Sequence, residues 1–188
     1  MMERGLEYGL AYARALAGAG ADMLSGGDSP AGLIGPQLYR DVALPYQQRL
    51  VEGLKTNHAQ PVSLHICGDA TPILADMATT GADVLELDHA VDIRHACRIV
   101  GPDVALWGNL DPVGLLAQST SENVRRATQC LLETVEECGH RRFVLSSGCT
   151  LAVETPPENL HAMFQTAREF PLAQTRETVI EGDVCHGR

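Results

Sequence analysis

Five strand-like runs alternate with helical segments along this 188-residue chain, and the alternation limits the possible folds more than any other feature. The predicted strands cover residues 21–25, 62–67, 84–88, 104–110 and 143–147, and a helical pattern follows each of them. Repeated βα units predict a parallel sheet with helices packed against it. The sequence therefore predicts an α/β fold in which the strand order follows the sequence and the crossovers are right-handed.

Two helices have recognisable start signals. Ser119, with Glu122 three residues later, has the spacing of a capping box, which predicts a helix that begins there. Another helix is predicted over residues 37–55, with Pro36 at its start and a break or kink at Pro45.

Polar and metal-binding side chains collect where the predicted strands end. In parallel α/β proteins, both closed barrels and open sheets bind their ligands at the carboxyl ends of the strands. This edge of the sheet is therefore the predicted functional site. Its candidate residues are Asp28, His65, Cys67, Glu86, Asp88, Asn109 and Cys149.

His65 and Cys67 form the most specific of these groups. They are two residues apart in a strand, so both side chains lie on one face with Cα atoms roughly 6.6 Å apart. An imidazole and a thiolate at this spacing can bind one zinc ion, and Cys149 can add a second thiolate. Three protein ligands leave one tetrahedral position open, which is typical of a catalytic zinc site. The alternative is that the pair is ordinary core, because both residue types are often buried.

Composition and missing motifs exclude several classes of protein. The net charge of −10 argues against binding to nucleic acid or to an anionic membrane. There is no run long enough to span a bilayer and no secretion signal, so the six cysteines are interpreted as reduced thiols in the cytoplasm. Of these, Cys97, Cys130 and Cys138 are predicted to lie in the core. Neither a dinucleotide or nucleotide phosphate loop nor a serine-hydrolase elbow is present.

Several motifs together resemble a known family. From about residue 8 to residue 169 the chain is similar to the C-terminal part of the uroporphyrinogen decarboxylase superfamily. Within it, the chain is most similar to the zinc-dependent methylcobamide:thiol methyltransferases, such as those that act on coenzyme M. The matching motifs are GDSPA at 27–31, HICGD at 65–69, GNLDP at 108–112, GC at 148–149 and TPPENL at 155–160.

The resemblance implies a site and a reaction. His65, Cys67 and Cys149 would hold Zn²⁺, and the methyl donor would be a methylcobamide carried by a corrinoid protein. A small thiol such as coenzyme M or homocysteine would take the open zinc position, lose its proton and attack the methyl group, with Co(I) as the leaving group. The resting fourth ligand could be Glu86, Asp88 or His89.

Further site residues are predicted around these ligands. Asp88 and Asn109 are the candidate catalytic residues, and Asp28 and Asp69 are the candidate cofactor-binding residues. Asp69 and Asn109 are expected to orient His65 or the substrate, and Asp28 is expected to form part of the site wall.

The resemblance also implies that the fold is incomplete. The family barrel has eight strands, whereas five are predicted here, so residues 1–170 are interpreted as part of a (βα)8 TIM-type barrel and residues 171–188 as a tail. We expect the open edges to associate with another copy or with the missing half-barrel. Two other functions are considered: a uroporphyrinogen decarboxylase-type carboxy-lyase, which needs no metal, and a non-catalytic partial barrel that binds a partner.

Overall fold

A computed structural model describes residues 1–56 and 59–171, so the predicted tail lies almost entirely outside the described residues. Five parallel strands form one sheet in the order β1-β2-β3-β4-β5. This confirms the prediction of consecutive parallel βα units. The strands are β1 Leu24–Gly27, β2 Val62–Ile66, β3 Val84–Leu87, β4 Ala105–Leu110 and β5 Phe143–Ser147.

Helices precede and follow every strand. Their bounds are α1 Met2–Gly18, α2 Gly35–Leu38, α3 Leu44–Lys55, α4 Leu74–Met77, α5 Ile93–Val100, α6 Ser121–Glu137 and α7 Pro157–Glu169. Short 3-10 turns occupy Ser29–Gly32 and Thr71–Ile73, and π-helical turns occupy Tyr39–Ala43 and Pro112–Ala117.

The two faces of the sheet differ in character. Leu64, Leu85 and Leu106 are aligned on adjacent strands, and they belong to the same buried core as apolar residues of the helices. On the opposite face the strand register places four side chains side by side across β2 to β5. These are His65, Glu86, Trp107 and Val144. The candidate site lies at the carboxyl end of this second face.

The helix start predicted at Ser119 is wrong by one residue. Thr120 is the N-cap of α6, since its side chain accepts a hydrogen bond from the backbone N–H of Asn123 at 3.3 Å. Thr120 has the extended backbone that a capping residue needs. The Ser119 hydroxyl instead accepts from the Asn123 side-chain amide at 2.8 Å. Cys130, predicted to be core, is exposed, because Leu131 occupies the buried side of the helix at that level.

The helix predicted over residues 37–55 is interrupted before Pro45. A π-helical turn at Tyr39–Ala43 separates α2 from α3, and Pro45 lies in the first turn of α3. A proline lacks an N–H and crowds the carbonyl four residues earlier, and the wider π turn accommodates both effects. Tyr39, the first residue of this turn, is completely buried.

Candidate metal centre

The end of β2 presents His65 and Cys67 on the same face. With Nδ1 protonated, the His65 ring donates a hydrogen bond to the backbone carbonyl of Glu86 at 3.1 Å. Its Nε2 lies 3.1 Å from the Cys67 sulfur. A histidine whose other nitrogen is held by a carbonyl has a fixed tautomer and ring orientation, which is the usual arrangement of a metal ligand.

Cys149 reaches the same point from the end of β5. The preceding residue, Gly148, donates its N–H to the carbonyl of Leu110 at 2.7 Å and packs directly on the backbone after β3. A Cβ at position 148 would lie 3.0 Å from the carbonyl carbon of Asp88 and would collide with the backbone nitrogen of His89. Glycine is therefore required for the loop to approach this closely. The Cys149 sulfur lies 3.8 Å from that of Cys67.

The three candidate ligands form a compact cluster beside a cavity. One nitrogen and two sulfur atoms, from His65, Cys67 and Cys149, all lie within 4.8 Å of one another, and all three residues are half-buried. The adjoining cavity has a volume of about 270 Å³ and is also lined by Glu86 and Trp107. One imidazole and two thiols are a donor set that zinc prefers, so the residues fit a zinc ion.

The Cys149 thiol ionises less readily than a free cysteine thiol. Burial raises the pKa of the Cys149 thiol, and the neighbouring Cys67 and Asp88 act in the same direction. A bound divalent cation reverses this effect, because a coordinating thiol loses its proton.

Asp88 is buried, and its carboxylate is engaged on every side. Oδ2 accepts from the backbone N–H of Gly68 at 2.8 Å, and Oδ1 accepts from that of Ala90 at 3.0 Å. The His89 ring nitrogen Nδ1 also lies 2.9 Å from Oδ1. Asp88 therefore holds the turn that follows Cys67.

The other candidates for a fourth ligand also have partners. Glu86 accepts from the hydroxyls of Ser25, at 2.8 Å, and Ser63, through a short hydrogen bond, both at Oε1. His89 lies between Asp88 and Asp111. Within the described residues, Glu86, Asp88 and His89 do not join the cluster of mutually close ligand atoms. The identity of a fourth ligand stays a prediction.

Asn109 and Asp69 are expected to orient His65 or the substrate. The Glu86 carbonyl holds the His65 ring, so the orientation of a substrate stays a prediction. Asn109 is buried and donates from Nδ2 to the carbonyls of Asp88, at 3.1 Å, and Val91, at 2.7 Å. It thus shapes the loop after β3.

Asp69 stabilises a local turn, whereas Asp28 connects the turn after β1 to α3 and β2. Asp69 accepts from the backbone N–H of Thr71 at 3.0 Å, and hydrogen bonds from Thr71 lower its pKa. Asp28 accepts from the side-chain amide of Gln47 at 2.9 Å. Its own backbone N–H donates to the carbonyl of His65, also at 2.9 Å. The catalytic and cofactor-binding roles assigned to Asp88, Asn109, Asp28 and Asp69 stay predictions.

Sequence reasoning missed one residue in direct contact with the cluster. The Ser29 hydroxyl lies 2.9 Å from the Cys67 sulfur. Its position directly after Asp28, at a predicted strand end, was the signal that could have identified it.

The motifs, the sheet and the site together agree with the family comparison. The family model described as uroporphyrinogen decarboxylase (URO-D) matches residues 1–170. The chain belongs to the uroporphyrinogen decarboxylase family. Relatives in this family include two kinds of enzyme.

Curated relatives of both kinds match at similar identity. A uroporphyrinogen decarboxylase from Trichodesmium erythraeum is 38% identical over 160 residues, which is 85% of this chain and 44% of the relative. A methylcobamide:CoM methyltransferase from Methanosarcina mazei is 36% identical over 166 residues, covering 87% of this chain and 47% of the relative. The chain thus spans about half the length of the curated relatives it matches.

A solved structure supports the same assignment. A methyltransferase from Methanosarcina mazei superposes with a TM-score of 0.78 at 26% identity, covering 87% of this chain and 47% of that one. This confirms the partial barrel that the resemblance implied. Among the described helices, none has the length and apolar character needed to cross a membrane.

Proposed function

We propose that this chain carries the zinc-binding part of a methyltransferase that moves a methyl group from a methylated corrinoid to a thiol. The observation that carries the proposal is the convergence of His65, Cys67 and Cys149 within 4.8 Å at the carboxyl end of the sheet. A carboxy-lyase that needs no metal has no evident use for two thiols and a fixed imidazole at this place.

The chain's own residues prepare the ligands for a metal. The Glu86 carbonyl holds the His65 ring so that Nε2 points towards the cysteines. Asp88 fixes the turn after Cys67, and Gly148 lets Cys149 approach. Little reorganisation is therefore needed on metal binding.

A zinc ion held by two thiolates and one imidazole supplies a site without net formal charge, at which an incoming thiol loses its proton and stays electron-rich. The 270 Å³ cavity beside Cys67 and Cys149 is the proposed entry point for the thiol. The cavity is lined by both apolar and hydroxyl-bearing side chains, including Trp107 and Ser146. The sulfur of the thiol would form a bond to the methyl carbon, and the electron pair of the broken carbon–cobalt bond would stay on cobalt.

The methyl donor is proposed to be a methylcobamide presented by a corrinoid protein. The Methanosarcina mazei relative is a methylcobamide:CoM methyltransferase, which uses a methylcobamide. A corrin ring is much larger than the cavity, so it would have to approach from outside, over the mouth at the carboxyl ends of the strands.

A carboxy-lyase acting on a porphyrinogen is the second candidate. It is favoured by the relative with 38% identity, which has the name of a uroporphyrinogen decarboxylase. Against it, the described residues that line the cavity include no arginine or lysine, and the carboxylates of a porphyrinogen need such partners. A third candidate is a partial barrel that only binds a partner.

Metal analysis of the purified 188-residue chain tests the proposal. We expect a single zinc ion per chain, and its loss in Cys67→Ala and in Cys149→Ala. Cys130→Ala is the matched control, because Cys130 is an exposed cysteine on α6, away from the cluster, and zinc should be retained. A wild-type chain that binds no zinc at micromolar concentrations would contradict the proposal and favour the carboxy-lyase or the partner-binding alternative.

A further inference from the structure

Among the described residues, Ser29 brings a hydroxyl within hydrogen-bonding distance of a cluster sulfur. It lies on the 3-10 turn after β1, and its Oγ is 2.9 Å from the Cys67 sulfur. A hydroxyl next to a thiolate donates a hydrogen bond to the sulfur. This contact comes from the turn after β1, whereas the three candidate ligands lie at the ends of β2 and β5.

The turn that carries Ser29 packs closely against β2. The backbone N–H of Asp28 donates to the His65 carbonyl at 2.9 Å. Three residues beyond Ser29, a Cβ at Gly32 would lie 2.9 Å from Ile66 Cγ2 and 3.2 Å from the carbonyl oxygen of Cys67. The absence of a side chain at position 32 therefore allows the turn to lie directly on the backbone of the metal-binding segment.

Buried polar groups fix this turn from the helix side. Gln47 donates from Nε2 to the Asp28 carboxylate at 2.9 Å, and the Tyr39 hydroxyl donates to Gln47 Oε1 at 2.6 Å. Tyr39 and Gln47 are both buried. Burial, together with Asp28 and Asp76, raises the pKa of Tyr39, so its hydroxyl remains a donor across the physiological range. These two hydrogen bonds, from Tyr39 to Gln47 and from Gln47 to Asp28, thus orient the residue directly before Ser29.

We infer that Ser29 is a positioning residue that tunes the Cys67 thiolate. The inference rests on the proposed function, because it requires Cys67 to be a metal ligand. A hydrogen bond to a metal-bound sulfur withdraws charge from it and holds the side chain in its binding rotamer, and such partners of first ligands control affinity and electronic properties. By holding the Cys67 side chain in place, Ser29 would make the site bind metal more tightly. By withdrawing charge from the sulfur, it would make the metal polarise an incoming thiol more strongly.

Cobalt substitution provides a readout that does not depend on activity. In the Co²⁺-loaded chain, the sulfur-to-cobalt charge-transfer band reports the energy of the thiolate electrons. Ser29→Ala should move this band to longer wavelength and weaken zinc affinity about tenfold or more in a chelator competition. Ser29→Thr keeps the hydroxyl and should restore both properties towards those of the wild type.

Two further variants separate this role from a structural one. Ser121→Ala removes a hydroxyl that donates to Asn159 at 2.9 Å, far along the chain from the cluster, and should change neither the band nor the affinity. Gln47→Met keeps the Ser29 hydroxyl but removes the hydrogen bond to Asp28. We therefore expect the charge-transfer band to move to longer wavelength by less than in Ser29→Ala.

The possible outcomes are distinct. A Ser29→Ala chain that binds Co²⁺ with an unmoved band, or a Ser29→Thr chain that behaves like Ser29→Ala, overturns the role of Ser29 while the proposed function stands. A wild-type chain that binds neither zinc nor cobalt shows that both the inference and the proposed function are wrong.

Discussion

The Asp88 carboxylate connects the end of β3 to the turn after Cys67, because its Oδ2 accepts from the backbone N–H of Gly68 at 2.8 Å. The same carboxylate accepts from its own loop at Ala90, and Asn109 binds the Asp88 carbonyl from β4. Three consecutive strands are therefore connected through one buried residue, Asp88, directly beside the candidate metal centre.

The first prediction concerns Asp88→Asn. The amide offers one acceptor where the carboxylate offers two, so either Gly68 or Ala90 loses its partner. A buried group left unpaired costs about 1–3 kcal/mol, and we expect the free energy of unfolding in urea to fall by that amount. Zinc affinity should fall as well, because the turn after Cys67 is no longer fixed.

Asp69→Asn is the matched control for this variant. Asp69 is exposed, and its contact with the Thr71 N–H can equally be made by the carbonyl oxygen of an asparagine. The free energy of unfolding of the Asp69→Asn chain should stay within about 0.5 kcal/mol of that of the wild type. Equal effects of the two substitutions would contradict the role given to Asp88.

The second prediction concerns Gly148→Ala. The added methyl group would collide with the backbone at Asp88 and His89, and backbone atoms can move only if the loop shifts. We expect Cys149 to be displaced, so that zinc binding weakens and the melting temperature falls, as measured by chelator competition and by circular dichroism. Gly5→Ala is the control, because nothing lies within 4 Å of a Cβ there and Gly5 is inside α1. It should stabilise the chain by about 0.5–1 kcal/mol.

The sheet was predictable because its signals are local. Each strand is a short run with apolar side chains such as Leu64 and Leu85 on one face, and repeated βα units admit few topologies. The residues His65, Cys67 and Cys149 were also predictable as neighbours, since the carboxyl ends of parallel strands meet at one edge.

The supporting contacts could not be predicted, because they depend on register and loop packing. The backbone of Glu86 holds the His65 ring, because β2 pairs with β3 and places the two residues side by side. The side chains of Asp69 and Asn109 do not have this role. The contact between Ser29 and Cys67 requires the close approach of a turn that no sequence period describes.

The third prediction concerns His140 and pH. Burial lowers the pKa of this histidine, and its Nε2 has no hydrogen-bond partner among the described residues. Since the folded pKa lies below the unfolded value, the unfolded chain binds more protons at acidic pH. The contribution of His140 to stability is fully present above the unfolded pKa of about 6.5 and is lost as the pH falls below it.

Urea unfolding at a series of pH values checks this. The free energy of unfolding of the wild-type chain should fall as the pH is lowered from about 7 to about 5. That of His140→Leu should fall less over the same range, because leucine cannot titrate. Identical pH dependence of the two chains would show that His140 does not contribute. His161→Leu is the control, as a histidine on α7 outside the buried core.

The last prediction concerns the two open edges of the sheet. Among the described strands, β1 and β5 each pair with one neighbour only, so each has a row of backbone N–H and C=O groups on its outer side. Next to one of these edges the Val144 side chain is 45% exposed on the face that also carries His65 and Trp107. Such edges recruit further strands. We therefore expect the isolated 188-residue chain to self-associate, as measured by light scattering coupled to size-exclusion chromatography.

Val144→Lys places a charge beside the β5 edge and should shift the population towards monomer, because a buried unpaired charge opposes association. A wild-type chain that is a monodisperse monomer with a cooperative thermal melt would show that the edges are protected without a partner.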